Sequence, residues 1–250
     1  MSDIMTMYFL QMIKKEEIHS MKREKPQINM NLKKDESALD LLINADVERN
    51  VIYGYYFDGE NMGNLTINGV EVSGCVFINC RFRDCLFEGV TFTNCYFKNC
   101  DFSFMNMNQG TFTCCEIVES KLTGLNLAFG VLNNVLIRTT DCRLVNFSQA
   151  KITVTKFVSC NMTSAAIDNS RMKDSEFVMC DMTELNISGT SLAGMDLRGS
   201  RLDKIIFRGG ELQGATIDSA QAIGLVRLLG VKVEDNGSPA YGQSGIKKHW

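Results

Sequence analysis

Apolar residues recur along this chain at a step of five. From Ile52 to Ile217 every fifth residue is apolar, thirty-four positions without a break. The series opens Ile52, Phe57, Met62, Ile67, Val72 and passes through six successive phenylalanines, Phe77 to Phe102. It closes Leu192, Leu197, Leu202, Phe207, Leu212, Ile217. Two residues before each stands a mostly small or apolar residue, and Glu60 is the one charge in that class. A period of five matches neither a helix (3.6) nor a strand (2). It requires a backbone that turns a corner every five residues. Four corners close a square coil of twenty residues, with a large side chain pointing inward from each side and a smaller one near each corner. Coils stacked through β-type hydrogen bonds rise about 4.8 Å each. Thirty-four pentads predict about 8.5 coils, a rod of roughly 40 Å. The register never slips, so no loop interrupts the rod.

Several small-position residues are bulky: Leu65, Met105, Leu125, Leu185, Met195 and Ile205. They are expected to swell or distort their coils. Glycines such as Gly209 and Gly214 recur after outward positions, where a corner wants positive φ.

A stacked coil has open ends that need caps. Residues 36–49 contain a short amphipathic helix that suits the N-terminal end. Residues 1–35 before it are polar and Met-rich, broken by Pro26, and read as a mobile arm. Residues 50–219 are the coil. Residues 220–233 read as a helix ended by Gly230 and then a short strand, Val231–Val233. Residues 234–250 read as a flexible tail. The helix is apolar on more than one face, through Ile223, Leu225, Val226, Leu228 and Leu229, so it offers surface beyond what the last coil needs.

At five places the repeat reads as an apolar residue, then Asp or Asn, then another apolar residue: Leu125-Asn126-Leu127, Val145-Asn146-Phe147, Cys180-Asp181-Met182, Leu185-Asn186-Ile187 and Met195-Asp196-Leu197. In this the chain resembles the pentapeptide-repeat proteins. The resemblance implies an all-β fold, a right-handed quadrilateral β-helix with short helical caps at both ends. The C-terminal pattern, Gln221-Ala222 through Leu225, Leu228, Leu229, Gly230 and Val231, resembles that of members of the Qnr and MfpA kind. It implies a homodimer joined there through Ile223, Leu225, Val226, Leu228 and Leu229. Members of the Qnr, MfpA and McbG kind act on DNA gyrase, so the resemblance also implies a topoisomerase as partner.

Composition narrows the chemistry. The chain has 250 residues, is 45% apolar and 22% charged, and carries a net charge of −3. Its two histidines, His19 and His249, lie near the termini. Eight of the ten cysteines occupy the small inward position, where successive residues fall on different sides of the square and diverge. That pattern suits small buried hydrophobes rather than a metal centre. No nucleophile–base pair, phosphate loop or cofactor motif stands out, so the expectation is a protein that is not an enzyme, without cofactor or metal. No stretch approaches the roughly 18 apolar residues of a membrane span, and no export signal is legible at the N-terminus. The reading is a cytoplasmic protein that touches neither membrane nor nucleic acid directly.

One side of the coil carries outward apolar residues. The expected protein-binding face runs through Tyr96, Glu116, Val118, Glu119, Leu136, Val158, Glu176, Val178, Met179 and Asp196. Outward β-branched residues also suit extended backbone whatever they touch. A gyrase-binding rod of the Qnr kind therefore stands beside a general interaction scaffold or a translocated effector unrelated to DNA.

Overall fold

The computed structural model of the chain describes residues 23–34 and 36–234. The five-residue period builds a four-sided β-helix. Three-residue strands pair in parallel with strands twenty residues on, so that Ile52 faces Val72 and Ile117 faces Ile137. The first face holds seven strands, from β1 (Val51–Tyr53) to β15 (Arg171–Lys173). The second runs from β2 (Tyr56–Asp58) through β5 (Val76–Ile78), β8 (Tyr96–Lys98), β10 (Glu116–Val118), β12 (Leu136–Arg138) and β14 (Lys156–Val158) to β16 (Glu176–Val178). The third face is a ladder of single bridges from Asn61 and Arg81 to Arg201. The fourth starts with β3 (Thr66–Asn68) paired to β6 (Leu86–Glu88) and continues by single bridges to Ile206.

The strand ladders span six twenty-residue steps, fewer than the 8.5 coils predicted from the pentads. Beyond Val178 the coil is carried by single bridges, ending at Asp196 with Thr216. The interior loosens there too. Phe207, Leu212 and Ile217 are only partly buried, whereas Phe82, Phe87, Phe92, Phe97 and Phe102 are fully buried. Successive phenylalanines stack along the axis: Phe57 on Phe77 and Phe77 on Phe97, each with ring centroids 5.0 Å apart.

Each corner is left-handed. Every fifth residue from Gly54 to Gly214 has positive φ, glycine or not, Val154 at 50° included. The Asp or Asn before the central apolar residue serves the turn that follows. Asn126 Oδ1 accepts the Ala128 N–H (3.2 Å) and Asp181 Oδ1 accepts the Thr183 N–H (3.1 Å). The residue preference is therefore a backbone cap. The bulky small-position residues do not distort the coil as expected. Leu65, Met105, Leu125, Leu185 and Ile205 fall at one corner, with Met105 one coil from Leu125 and Leu185 one coil from Ile205, while Met195 stands on the opposite corner. Pairing through them stays at twenty, as in Asn106 with Asn126 and Asn186 with Ile206.

Helix α1 (Ala38–Glu48) caps the N-terminal end, burying Ala38, Leu42 and Ala45 in the core, with Ser37 as its N-cap. Helix α2 (Ser219–Leu228) closes the other end. Asp218 and Gln221 form a capping box, and Gln221 Nε2 donates to the carbonyls of Leu197 (2.7 Å) and Ser200 (2.6 Å) in the coil below. The strand expected at Val231–Val233 is not formed; that stretch is irregular. The expected mobile arm, residues 1–35, does not stand off the rod where it is described. Residues 23–34 lie against it because they find apolar and hydrogen-bonding partners there. Residues 1–22, and the expected tail from 235 on, lie outside the described residues.

Candidate protein-binding face

The second face owes its outward chemistry to strand alternation. In each of its strands the middle residue, such as Phe97 or Phe157, points inward and its two neighbours point out. The twenty-residue register then sets outward residues in two rows. Tyr96, Glu116, Leu136, Lys156 and Glu176 form one; Lys98, Val118, Arg138, Val158 and Val178 form the other. Glu119 and Met179 sit at the left-handed corners after these rows. Nine of the residues predicted from sequence are thus brought onto one face. Asp196 lies one step beyond Glu176, and the two line a groove of about 390 Å³ with Val178 and Arg198.

The segment 23–34 covers much of this face. Its path crosses the strands and runs along the rod. Lys33 donates its N–H to the Gly54 carbonyl (2.8 Å) and accepts the Tyr56 N–H (2.9 Å). Farther up, Gln27 N–H donates to Asn94 Oδ1 (3.0 Å) and Glu24 N–H to Asn134 Oδ1 (3.2 Å). Arg23 forms an ion pair with Glu116, both side chains 7% exposed. Between these anchors Ile28 and Leu32 pack on an outer cluster of Val76, Tyr96 and Val118, flanked by Tyr56 and Ile78. Tyr96, Glu116 and Val118 are therefore buried and do not form open surface. Leu136, Val158 and Lys156 are buried as well. Sequence reasoning missed Arg23, Ile28, Leu32, Asn94 and Asn134. The one signal for them was the outward apolar row itself, which needed a cover.

The acids of the face are engaged. Glu119 lies 3.5 Å from Lys98 Nζ and Glu176 3.2 Å from Lys156 Nζ. Asp196 is gripped by Arg198 (2.6 Å), whose hydrogen bonds hold its carboxyl down to about 2. Met179 is 63% exposed and Val178 is half-buried. The open part of the face is thus its far end, Val178 to Asp196.

The opposite, fourth face carries an amide ladder: Asn126 Nδ2 donates to Asn106 Oδ1 (3.0 Å) and Asn146 Nδ2 to Asn126 Oδ1 (3.1 Å). The inward cysteines are spent on the backbone. Cys85 Sγ donates to the Met62 carbonyl (2.9 Å), and burial pushes its thiol up to about 11. Cys75, Cys95 and Cys115 stack as a ladder, with Cys115 Sγ accepting the Cys95 N–H (3.4 Å). Among the described residues no three ligand-type side chains converge on a metal-sized point, and no helix is long and apolar enough to cross a membrane.

At the C-terminal end the residues predicted for dimerisation divide. Leu225 is buried against the last coil, so it serves the cap. Ile223, Leu228 and Leu229 are exposed and Val226 is half-buried.

Comparison with known proteins agrees with this geometry. The family model for pentapeptide repeats matches residues 75–113. No curated protein matches the sequence. A trypsin-treated variant of QnrB1, a plasmid-mediated fluoroquinolone resistance protein, superposes with a TM-score of 0.53 at 25% identity, over 74% of this chain and 93% of its own. HetL, a pentapeptide-repeat protein involved in heterocyst differentiation regulation in the cyanobacterium Nostoc sp., matches with a TM-score of 0.40 at 14% identity. That match covers 70% of this chain and 89% of HetL. Over residues 75–113 the chain carries the pentapeptide repeat that the family model describes, and in its four-sided coil it resembles pentapeptide-repeat proteins of the Qnr kind.

Proposed function

We propose that the chain is a non-catalytic, cytoplasmic protein-binding rod whose partner is a type II topoisomerase, with DNA gyrase the first candidate. The observation that carries this reading is the likeness over most of both chains to QnrB1, a fluoroquinolone resistance protein. The rod works as a homodimer, joined through the exposed apolar residues of α2. Mimicry of DNA by the whole rod does not fit the charges. A 40 Å length of B-DNA carries about 24 negative charges, at one per roughly 1.7 Å. Residues 50–219 hold 18 acids and 14 bases, a net of −4. Recognition is therefore local, through the far end of the second face rather than through bulk charge. The near-neutral rod is also what favours the second reading, an interaction scaffold or translocated effector with no link to DNA.

Gyrase supercoiling, measured with and without a quinolone while the purified protein is titrated in, tests the proposal. A change in supercoiling, or its restoration in the presence of the drug, supports it. No effect on gyrase or on topoisomerase IV leaves the scaffold reading in its place.

A further inference from the structure

The second face already holds a peptide. Residues 23–34 cross four coils, from Asn134 to Gly54, without a helix and with one bend at Met30 and Asn31. They bring an arginine to the buried carboxylate of Glu116 and two aliphatic side chains, four residues apart, to the cluster of Val76, Tyr96 and Val118. Pro26 between them is buried. Backbone N–H groups at Glu24 and Gln27 are taken by asparagine side chains at corners two coils apart, Asn134 and Asn94, with Cys114 at the corner between them. Apolar anchors, one desolvated ion pair and side chains reading the backbone are how a peptide is recognised on a preformed surface. Apart from the single bridge at Lys33, the described segment shares no strand with the rod. Its attachment is therefore separable from the fold beneath it.

We infer that the second face is a docking surface for a segment bearing an arginine and two aliphatic anchors, and that residues 23–34 are its resident, exchangeable occupant. The inference deepens the proposed function and rests on it in one respect only, the identity of the competitor: the partner, seated on the open far end of the same face, presents a segment of this chemistry that extends over the rest of the face by displacing residues 23–34.

Cys114 reports on occupancy. Of the ten cysteines it alone is not buried. Its Sγ lies 3.5 Å from the Glu24 carboxylate, and burial together with that carboxylate pushes the thiol up to about 11. The experiment alkylates the folded full chain with iodoacetamide near pH 8 and follows Cys114 by mass spectrometry. Arg23→Glu with Ile28→Asp should speed alkylation at least tenfold while the thermal unfolding of the rod is retained. A synthetic peptide of residues 23–34 added to that variant should slow it again. Arg23→Glu combined with Glu116→Arg, which restores the pair with its charges swapped, should stay protected. Equal rates in wild type and variant, or no slowing by the peptide, would overturn the inference. Loss of the fold in the double variant would also count against it, since the segment would then be part of the rod, and the charge-swapped chain still reads the pair. None of these measurements involves gyrase. Release of Cys114 without any change in gyrase binding would discard the topoisomerase as the competitor and leave the docked segment standing.

Discussion

Arg23 and Glu116, ninety-three residues apart in sequence, form an ion pair in which each side chain is 7% exposed. A buried carboxylate that loses its cationic partner is costly. Glu116, read from sequence as an acid offered to a partner, is instead committed to the chain's own N-terminal segment. The surface left for a partner is displaced along the rod toward Val178 and Met179.

The core should respond to truncation where the phenylalanines meet. Phe97 stacks on Phe77 and makes edge contacts with Phe92 (5.2 Å) and Phe102 (5.3 Å). Phe97→Ala should cost about 3–5 kcal/mol by denaturant unfolding. Phe104→Ala, at an exposed corner position, should stay within about 0.5 kcal/mol of wild type. Equal losses at both sites would refute the inward assignment.

The corners hold removable strain. Val154 adopts φ 50°, a region unfavourable to a β-branched residue. One coil away Asn134 takes the same corner at φ 56°. Val154→Asn should therefore stabilise the protein by about 1 kcal/mol. The melting temperature should rise by about 2–4 °C for a chain of this size. A fall in melting temperature would contradict the account.

Glu211 predicts an acid-sensitive end. Its carboxylate accepts the N–H groups of Gly189 (2.8 Å), Gly209 (2.9 Å) and Arg208 (3.1 Å), led by the Gly189 bond, and these hold its pKa down to about 2. The folded value lies below the unfolded 4.5, so the contribution is present above pH 4.5 and is lost as pH falls toward 2. Glu211→Gln should remove about 2 kcal/mol at neutral pH and flatten the stability profile between those values. An unchanged profile would show that the three bonds contribute nothing.

How much of this was legible follows from how local each signal is. The inward positions were readable because every pentad repeats them, and the left-handed corners because glycine recurs there. The second face was readable as a row. Its cover was not: residues 23–34 carry no trace of the five-residue period, and Arg23 meets Glu116 only through the folded coil. Glu211 sits at an outward position like many solvated acids, and only the backbone it caps distinguishes it. Leu225 looked like its neighbours Leu228 and Leu229 until the helix was set on the last coil.

That division gives a test of the dimer. Ile223→Glu with Leu229→Glu should yield a folded monomer by light scattering, since both side chains are exposed. Leu225→Glu should instead unseat the helix and lower the melting temperature, because Leu225 is packed into the core. A wild-type protein that is monomeric at micromolar concentration would rule the dimer out.

The central claim is that one face of the rod binds a topoisomerase, and direct binding to immobilised gyrase tests it most closely. The wild type should bind. Val178→Glu with Met179→Glu, at the open end of the second face, should weaken binding at least tenfold. Glu88→Lys, exposed on the fourth face, should leave it unchanged. No binding at tens of micromolar, or equal weakening by both variants, would contradict the account.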